Sequence, residues 1–337
     1  MVTTEGPLRL TEWTSCGGCA AKWGGSPLSE LVRSMSTSGS AAAGLLVGLA
    51  PFDDAAVLRL ADGMALVSTT DFFPPLVDDP KDFGAIAAAN ACSDVFAMGG
   101  RVVLALNIAA FPERLPTEAI AAIFASASAV VEEAGGIVAG GHTIRSDEPI
   151  FGLAVQGLVD PDRILTKGGA RVGDVLVLSK PIGSGIVLAG GADDDKASAI
   201  LRMRMLNRVA SEQLVALDGA CHGATDVTGY GLAGHGWEVA ERSNATVVID
   251  TGAVPLYAGA LAAATAGTRT GGDARNRAYL DGHIDAGAID DALAALCFDP
   301  QTSGGLLAAV DPAAAGDLDG FTVIGEVVAG PAGVRLT

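Results

Sequence analysis

"STTDFFPPLVDDPKDFGAIAAANACSDVFAMGG", residues 68–100, joins two periodicities in one stretch. Its start completes a β-type run, "ALVSTTD" at 65–71, and its second part is an Ala-rich helical run closed by Gly99 and Gly100. Working outward, "AAVLRL" precedes the β run across "ADG", so the spacing predicts a hairpin. On the other side "RVVLALNIAAF" reads as a strand and "PTEAIAAIFASASAVVEEAGG" as a second helix with a Gly stop. "IVAGG" and "IFGLAVQGLV" are strand-like. The first half therefore alternates β and α around a mixed sheet that ends near residue 163.

"GDVLVLSKPIG" opens a second unit. The pattern predicts one helix over about 196–217 and another over 231–242, with strands at "ATVVID", "GGLLAAV" and "FTVIGEVV" and a helix at "DDALAALC". The chain thus reads as two α/β domains with a boundary near 163–172, and no repeat of 20 to 50 residues points to a solenoid. A length of 337 residues agrees with about two domains of 100 to 200 residues each.

The charge count, 21 basic residues against 39 acidic, gives −18. That field repels phosphate polymers and acidic lipid surfaces, and aromatics at 5% leave little for stacking bases, so nucleic acid is excluded as a partner. A triphosphate among such carboxylates needs divalent cations, because each bare like-charge pair costs about 4 kcal/mol at 4 Å and an effective dielectric near 20. No apolar stretch is long enough to span a bilayer, and the N-terminal "MVTTEGPLRLTEW" lacks a basic region followed by an apolar run, so a soluble cytoplasmic protein is expected. The five cysteines, at 16, 19, 92, 221 and 297, do not form a secreted disulfide framework.

Several acidic residues sit at ends of apolar elements. Asp53 and Asp54 interrupt "LAPFDDAAV", Asp71 closes "ALVSTTD", and Asp226 precedes a Gly-rich turn. Asn90 and Asp94 are four apart, so they project from one helix face. Singly, each such residue is a cap or turn residue; together they suggest hard oxygen ligands for magnesium. "AGGHTIRSDEP" reads as a strand end turning into a loop whose glycine amides approach a phosphate, with His142 beside them. "DPQTSGGLL" is a polar Gly turn before a strand and chemically ambiguous. "GYGLAG" at 229–234 matches a dinucleotide fingerprint in letters, but "CHGATDVT" ahead of it does not read as an apolar strand, and close helix packing is the plainer use of its glycines.

"TSCGGCAAKWGG", residues 14–25, has three readings: a redox dithiol, half of a zinc site completed by Cys221 and His222, or one nucleophile in a mobile arm with Lys22 as a neighbouring cation. "LTEWTS" makes a poor strand for the first, and the second lacks another paired motif.

These pieces in this order, "LTEWTSCGGCAAK", "DDAAV", residues 68–100, "AGGHTIRSDEPIFGLAVQGLV", "DVTGYGLAGH", "GGDARN" and "CFDPQTSGG", resemble the selenophosphate synthetase (selenide, water dikinase) family over nearly the whole chain. That family belongs to the ATP-binding superfamily that also contains aminoimidazole ribonucleotide synthetase. The resemblance implies an α/β (α+β) two-domain fold with mixed sheets packed with helices. Its parts would be a flexible arm and lead-in over 1–50 carrying Cys19 and Lys22, an ATP- and Mg-binding domain over 51–163 and a C-terminal domain over 164–337. It implies the conversion of ATP, selenide and water to selenophosphate, AMP and orthophosphate. Its partners would be a second copy joined through the N-terminal domains and a selenium-delivery protein; its ions would be several Mg2+, with K+ as a companion. By matching position, Cys19 and Lys22 would be catalytic. Asp54, Asp94 and Asp226 would hold magnesium, while Lys22, Asp71, Asn90, Asp94, Gly141, His142 and Thr143 would line the nucleotide site. The family pattern often reads G-C-G-C-K; here its second cysteine is Ala21, and Cys16 lies outside it.

Overall fold

The computed structural model describes residues 8–21, 44–49 and 52–337, and the elements below are numbered within them. The first half forms a six-stranded sheet of β1 (Leu45–Val47), β2 (Ala56–Ala61), β3 (Met64–Phe73), β4 (Arg101–Phe111), β5 (Ile137–Arg145) and β6 (Ile150–Val159), in the order β1-β2-β3-β6-β4-β5. β2 and β3 are the expected hairpin, turning at Gly63 with φ +68°, where a side chain would be strained. β4 and β5 are parallel and the remaining pairs antiparallel, so the sheet is mixed.

Helix α1 (Pro80–Ala97) starts where the Asp79 carboxylate accepts from the Lys81 and Asp82 amides and Pro80 sets the first turn. It ends at Gly99, φ +74°. Helix α2 (Thr117–Glu133) crosses it closely: a Cβ at Gly84 would lie 2.2 Å from the Ile123 carbonyl oxygen. Both helices cover one face of the sheet. On β3 the alternation buries Val67, Asp71 and Phe73 under α1 and leaves Thr70 and Phe72 on the opposite, exposed face. Phe83 of α1 packs edge-on against Phe151 of β6, and truncating either to Ala costs about 3–5 kcal/mol.

The second half builds a seven-stranded sheet from β7 (Val175–Leu178), β8 (Cys221–Asp226), β9 (Thr246–Ile249), β10 (Ile284–Asp285), β11 (Leu306–Val310), β12 (Thr322–Val328) and β13 (Gly333–Leu336), ordered β10-β13-β9-β12-β7-β11-β8. Its helices are α3 (Ser184–Gly190), α4 (Asp193–Met203), α5 (Arg208–Ala216), α6 (Gly231–Ser243), α7 (Ala260–Thr265), α8 (Asp273–Tyr279) and α9 (Asp291–Phe298).

Three sequence expectations change. The helix expected over 196–217 is two, α4 and α5. Between them the Asn207 amide donates to Ser93 Oγ and the Gly304 carbonyl, both at 2.8 Å, and holds the break. Strand β5 runs on to Arg145, so Gly141, His142 and Thr143 lie within a strand, paired with β4, rather than in a loop. Residues 221–226 are a strand, so strand, turn and helix do precede and include "GYGLAG". What rules out the dinucleotide fingerprint is topology, since β8 is an edge strand paired antiparallel to β11 and not part of a parallel βαβ unit. Among the described residues, no helix is long and apolar enough to cross a membrane.

Candidate active site

Residues 8–21 are seated against the first half. Leu10 is fully buried, and its amide donates to the Asp78 carbonyl at 3.4 Å; the Gly18 amide donates to that of Pro74 at 2.9 Å. At Gly17 a Cβ would fall 2.1 Å from the Pro75 carbonyl oxygen, so only glycine permits this approach. The chain then enters a short 3-10 turn, Gly18–Ala21, that buries Cys19 to 1% exposure. Lys22 lies outside the described residues.

Cys19 meets two of the other expected residues. Its thiol donates to Asn90 Oδ1 at 3.5 Å, and Asn90 Nδ2 donates to the Asp71 carboxylate. Asp71 comes from β3 and Asn90 from α1, brought face to face by the strand alternation that turns Asp71 toward the helix. From 213 and 283 residues away in sequence, the Thr302–Ser303 turn closes this group: Thr302 Oγ1 accepts from the Cys19 amide at 3.0 Å, and the Ser303 amide donates to Asn90 Oδ1 at 2.7 Å. One helical turn beyond Asn90, Asp94 accepts from the Thr69 hydroxyl.

A second acidic group lies at the junction of the halves. Lys167 Nζ is 2.9 Å from Asp54 and 2.8 Å from Glu238, and Thr225 Oγ1 donates to Asp54 Oδ1 at 3.0 Å. Thr225 precedes Asp226, itself 1% exposed, on β8. Asp54 Oδ2 is buried without a hydrogen bond. Burial, then the Asp54 charge, pushes Asp53 up to about 7. Burial alone would lower Lys167, but Asp54 and Glu238 hold it well above the ordinary lysine range. Burial opposes the Glu238 charge, yet Lys167 and then His235 hold that carboxyl far below the ordinary range. Nearby, burial and then Arg202 push Lys180 down to about 7 against the pull of Asp226, and its ammonium donates to the Met205 and Ser303 carbonyls at 2.6 and 3.1 Å.

Gly141, His142 and Thr143 do not join these groups within one chain. Asp71 pairs with Leu153, Leu153 with Asn107 and Asn107 with Gly141, so one rung of the sheet carries both ends, three strand spacings or about 14 Å apart. Among the described residues, no three His, Cys, Asp or Glu side chains form a ready cation site. His222 of the zinc reading bonds Asp174 at 2.9 Å. Cys16 is half-buried and borders a cavity of about 780 Å³, lined also by Asp71, Phe72, Glu148, Tyr230 and Arg275. Arg275 donates across its rim to the Ala20 carbonyl.

Thr302, Ser303, Lys167, Lys180 and Glu238 were not singled out by sequence reasoning. "DPQTSGGLL" gave the one signal, a polar Gly turn ahead of a strand.

Two family descriptions match this architecture, AIR synthase related protein, N-terminal domain, over residues 52–159 and AIR synthase related protein, C-terminal domain, over residues 171–336. Similar curated proteins include the selenide, water dikinase of Myxococcus xanthus, 43% identical over 98% of this chain and 97% of that one. That of Burkholderia ambifaria is 46% identical over 97% and 96%. The chain belongs to the selenide, water dikinase family. Among solved structures the fold is shared with AaThiL complexed with AMPPCP and TMP, at 20% identity over 93% of each chain and a TM-score of 0.70. Hydrogenase maturation protein HypE in complex with ATP shares it at 21% identity over 85% of each, with a TM-score of 0.60. In this family setting, the Cys19, Asn90 and Asp71 contacts link the expected nucleophile to expected nucleotide-site residues.

Proposed function

We infer that the chain catalyses the ATP-dependent synthesis of selenophosphate from selenide and water, releasing AMP and orthophosphate. Near-full-length relatives at 43% and 46% identity, named selenide, water dikinase, carry this reading. With it go the implied divisions, an arm over 1–50 and domains over 51–163 and 164–337, a cytoplasmic homodimer, and a selenium-delivery protein.

Cys19 is the thiol that receives and orients selenide toward the γ-phosphoryl group in this proposal, with no bond formed between sulfur and selenium. Its burial keeps bulk water from a labile intermediate, and its contact with Asn90 places sulfur beside the Asp71 side of the site. Lys22, three residues further along, stabilises charge developing on the transferred phosphoryl group. Asp71 and Asn90 orient the nucleotide. Transfer of the γ-phosphoryl group to selenide leaves ADP, and water then cleaves ADP to AMP and orthophosphate.

Asp54, Asp94 and Asp226 fit magnesium. The donors are carboxylates and Asp54 Oδ2 is buried without a hydrogen bond, which suits an ion that takes one or two protein carboxylates and shares its other positions with phosphate and water. Bound there, magnesium supplies charge neutralisation for the triphosphate, with K+ as a companion ion.

The homodimer is supported by the face of the first sheet opposite α1 and α2, where among the described residues Phe72 is 49% and Leu106 37% exposed. Pairing through it would bring Gly141, His142 and Thr143 of one subunit toward the nucleotide of the other, which reconciles their distance from Asp71 with a nucleotide role. Phosphorus NMR of the protein with ATP, magnesium and selenide under anaerobic reducing conditions tests the reading. Selenide-dependent AMP together with a phosphorus–selenium coupled signal is expected, and ADP alone would instead mark a simple kinase of the same superfamily.

A further inference from the structure

The turn at residues 302–304 is held from behind on two of its carbonyls. Lys180 Nζ donates to the Ser303 carbonyl at 3.1 Å and Asn207 Nδ2 to that of Gly304 at 2.8 Å. A Cβ at Gly304 would lie 2.0 Å from the Val227 carbonyl oxygen, so the turn is pressed onto the second half. Ser303, fully buried, adopts φ +54°, a left-handed conformation uncommon for serine. Its forward side faces the first half: Thr302 Oγ1 takes the Cys19 amide at 3.0 Å and the Ser303 amide reaches Asn90 Oδ1 at 2.7 Å.

These bonds fix the Asn90 amide without ambiguity. Asp71 as a carboxylate only accepts, and the Ser303 N–H only donates, so Nδ2 must face Asp71 and Oδ1 must face Ser303. The same Oδ1 receives the Cys19 thiol at 3.5 Å, a bond that requires the hydrogen to sit on sulfur. Turning the amide over would set Oδ1 against the Asp71 carboxylate and Nδ2 against the Ser303 N–H, two mismatches at once.

We propose that Thr302 and Ser303 are positioning residues for Cys19. Thr302 Oγ1 anchors the cysteine main chain, and the Ser303 N–H locks Asn90 so that a carbonyl oxygen faces the thiol. The resting cysteine is thereby placed within the site, with its sulfur held opposite the Asn90 carbonyl oxygen. The turn belongs to the second half and the thiol to the N-terminal segment, so any shift between the two halves alters the thiol directly. A misplacement of about 1 Å at a reacting atom is enough to lower turnover about a hundredfold. The proposal deepens the functional reading above and rests on it for the role of Cys19.

Thr302→Val keeps the side-chain shape and removes the acceptor. Two measurements on the full chain decide the matter: steady-state kinetics with separate titration of ATP and selenide, and the rate of iodoacetamide alkylation at Cys19, located by peptide mass spectrometry between pH 6 and 9. Thr302→Val should lower kcat about tenfold with KM for ATP within twofold, and should speed Cys19 alkylation about tenfold at pH 7.5. Thr302→Ser should bring both back to within threefold of the parent protein. Should Thr302→Val fail to fold, Thr302→Ala removes the same acceptor with no added bulk and carries the same expectations. Alkylation unaffected by loss of the acceptor, or a serine variant as impaired as the valine one, would overturn the proposal. If the parent protein makes no selenide-dependent AMP, the functional reading fails, while the alkylation comparison still decides whether the turn governs the thiol.

Discussion

The Lys167 ammonium lies 2.9 Å from the Asp54 carboxylate, with neither side chain more than 5% exposed. Lys167 belongs to the segment between the two sheets, and its second partner, Glu238, sits on α6, so one cation ties an acidic residue of the first half to a helix of the second. Lys167→Met would leave two carboxylates buried without their cation. A loss of about 3–5 kcal/mol is expected, read from urea unfolding followed by fluorescence. Magnesium should recover part of it, by occupying Asp54 in the lysine's place. A loss below about 1 kcal/mol would mean that the pair is not sealed from water.

Asp299 gives stability a pH dependence of its own. Burial pushes its carboxyl up from 3.8 to about 7, against the Ile186 and Gly185 amides and the Gln301 amide group that favour the charged form. Between those values the folded chain holds the proton more tightly than the unfolded one. The contribution of this group is therefore full below about pH 4 and is lost as pH rises through 7. Asp299→Asn never ionises and keeps an oxygen for the two amides. Its Tm relative to the parent should rise from pH 5 to about pH 7 and level off above it, and a flat difference from pH 5 to pH 7 would refute the assignment.

The parts of the fold legible in the sequence are those that local rules decide. The 80–97 helix has its acidic cap, its proline and its glycine stop within the stretch itself, and the β2–β3 hairpin has its Gly63 turn. What was illegible depends on distant partners. "CHGATD" has no apolar run and becomes a strand through its pairing with the buried β11, 80 residues on. The break between α4 and α5 is held by Asn207 bonding Ser93 and Gly304, which no local pattern announces. At the site, Asn90 and Asp94 were readable from their spacing of four on a helix. Thr302 and Ser303 were not, because a polar Gly turn looks the same in sequence whether or not a thiol docks on it.

Cys19→Ser should abolish selenophosphate formation, and Cys16→Ser should leave it within about threefold of the parent. The two thiols differ in surroundings: Cys19 is buried against Asn90, whereas Cys16 borders the large cavity half-exposed, with its amide bonded to Thr14. Phosphorus NMR of each variant measures this, and equal losses would favour a dithiol mechanism.

Asp94→Asn preserves shape and the Thr69 contact while removing one negative charge. If Asp94 shares magnesium with the triphosphate, affinity for ATP with magnesium should fall about tenfold or more, while affinity for adenosine stays the same. Isothermal titration calorimetry in magnesium and in EDTA separates the two cases. Equal affinities for ATP with magnesium in variant and parent would remove Asp94 from the metal site.

Leu106→Arg tests the association of N-terminal halves. Leu106 and Phe72 stand on the sheet face opposite α1 and α2, both exposed, and Gln156 Oε1 on the same sheet is buried without a hydrogen bond among the described residues. A partner seated there would cover the apolar side chains and could supply the missing donor, whereas a guanidinium placed among them would be buried without a counter-charge and would oppose docking. Light scattering on the parent at about 20 μM should give twice the 33.6 kDa chain mass, and the variant should give one chain mass with its far-UV circular dichroism unchanged. Because Gly141, His142 and Thr143 reach a nucleotide only across subunits in the proposed arrangement, the monomeric variant should also lose most ATP affinity. A parent that is monomeric at that concentration, or a monomeric variant that binds ATP as tightly as the parent, would leave β5 without a place in the nucleotide site.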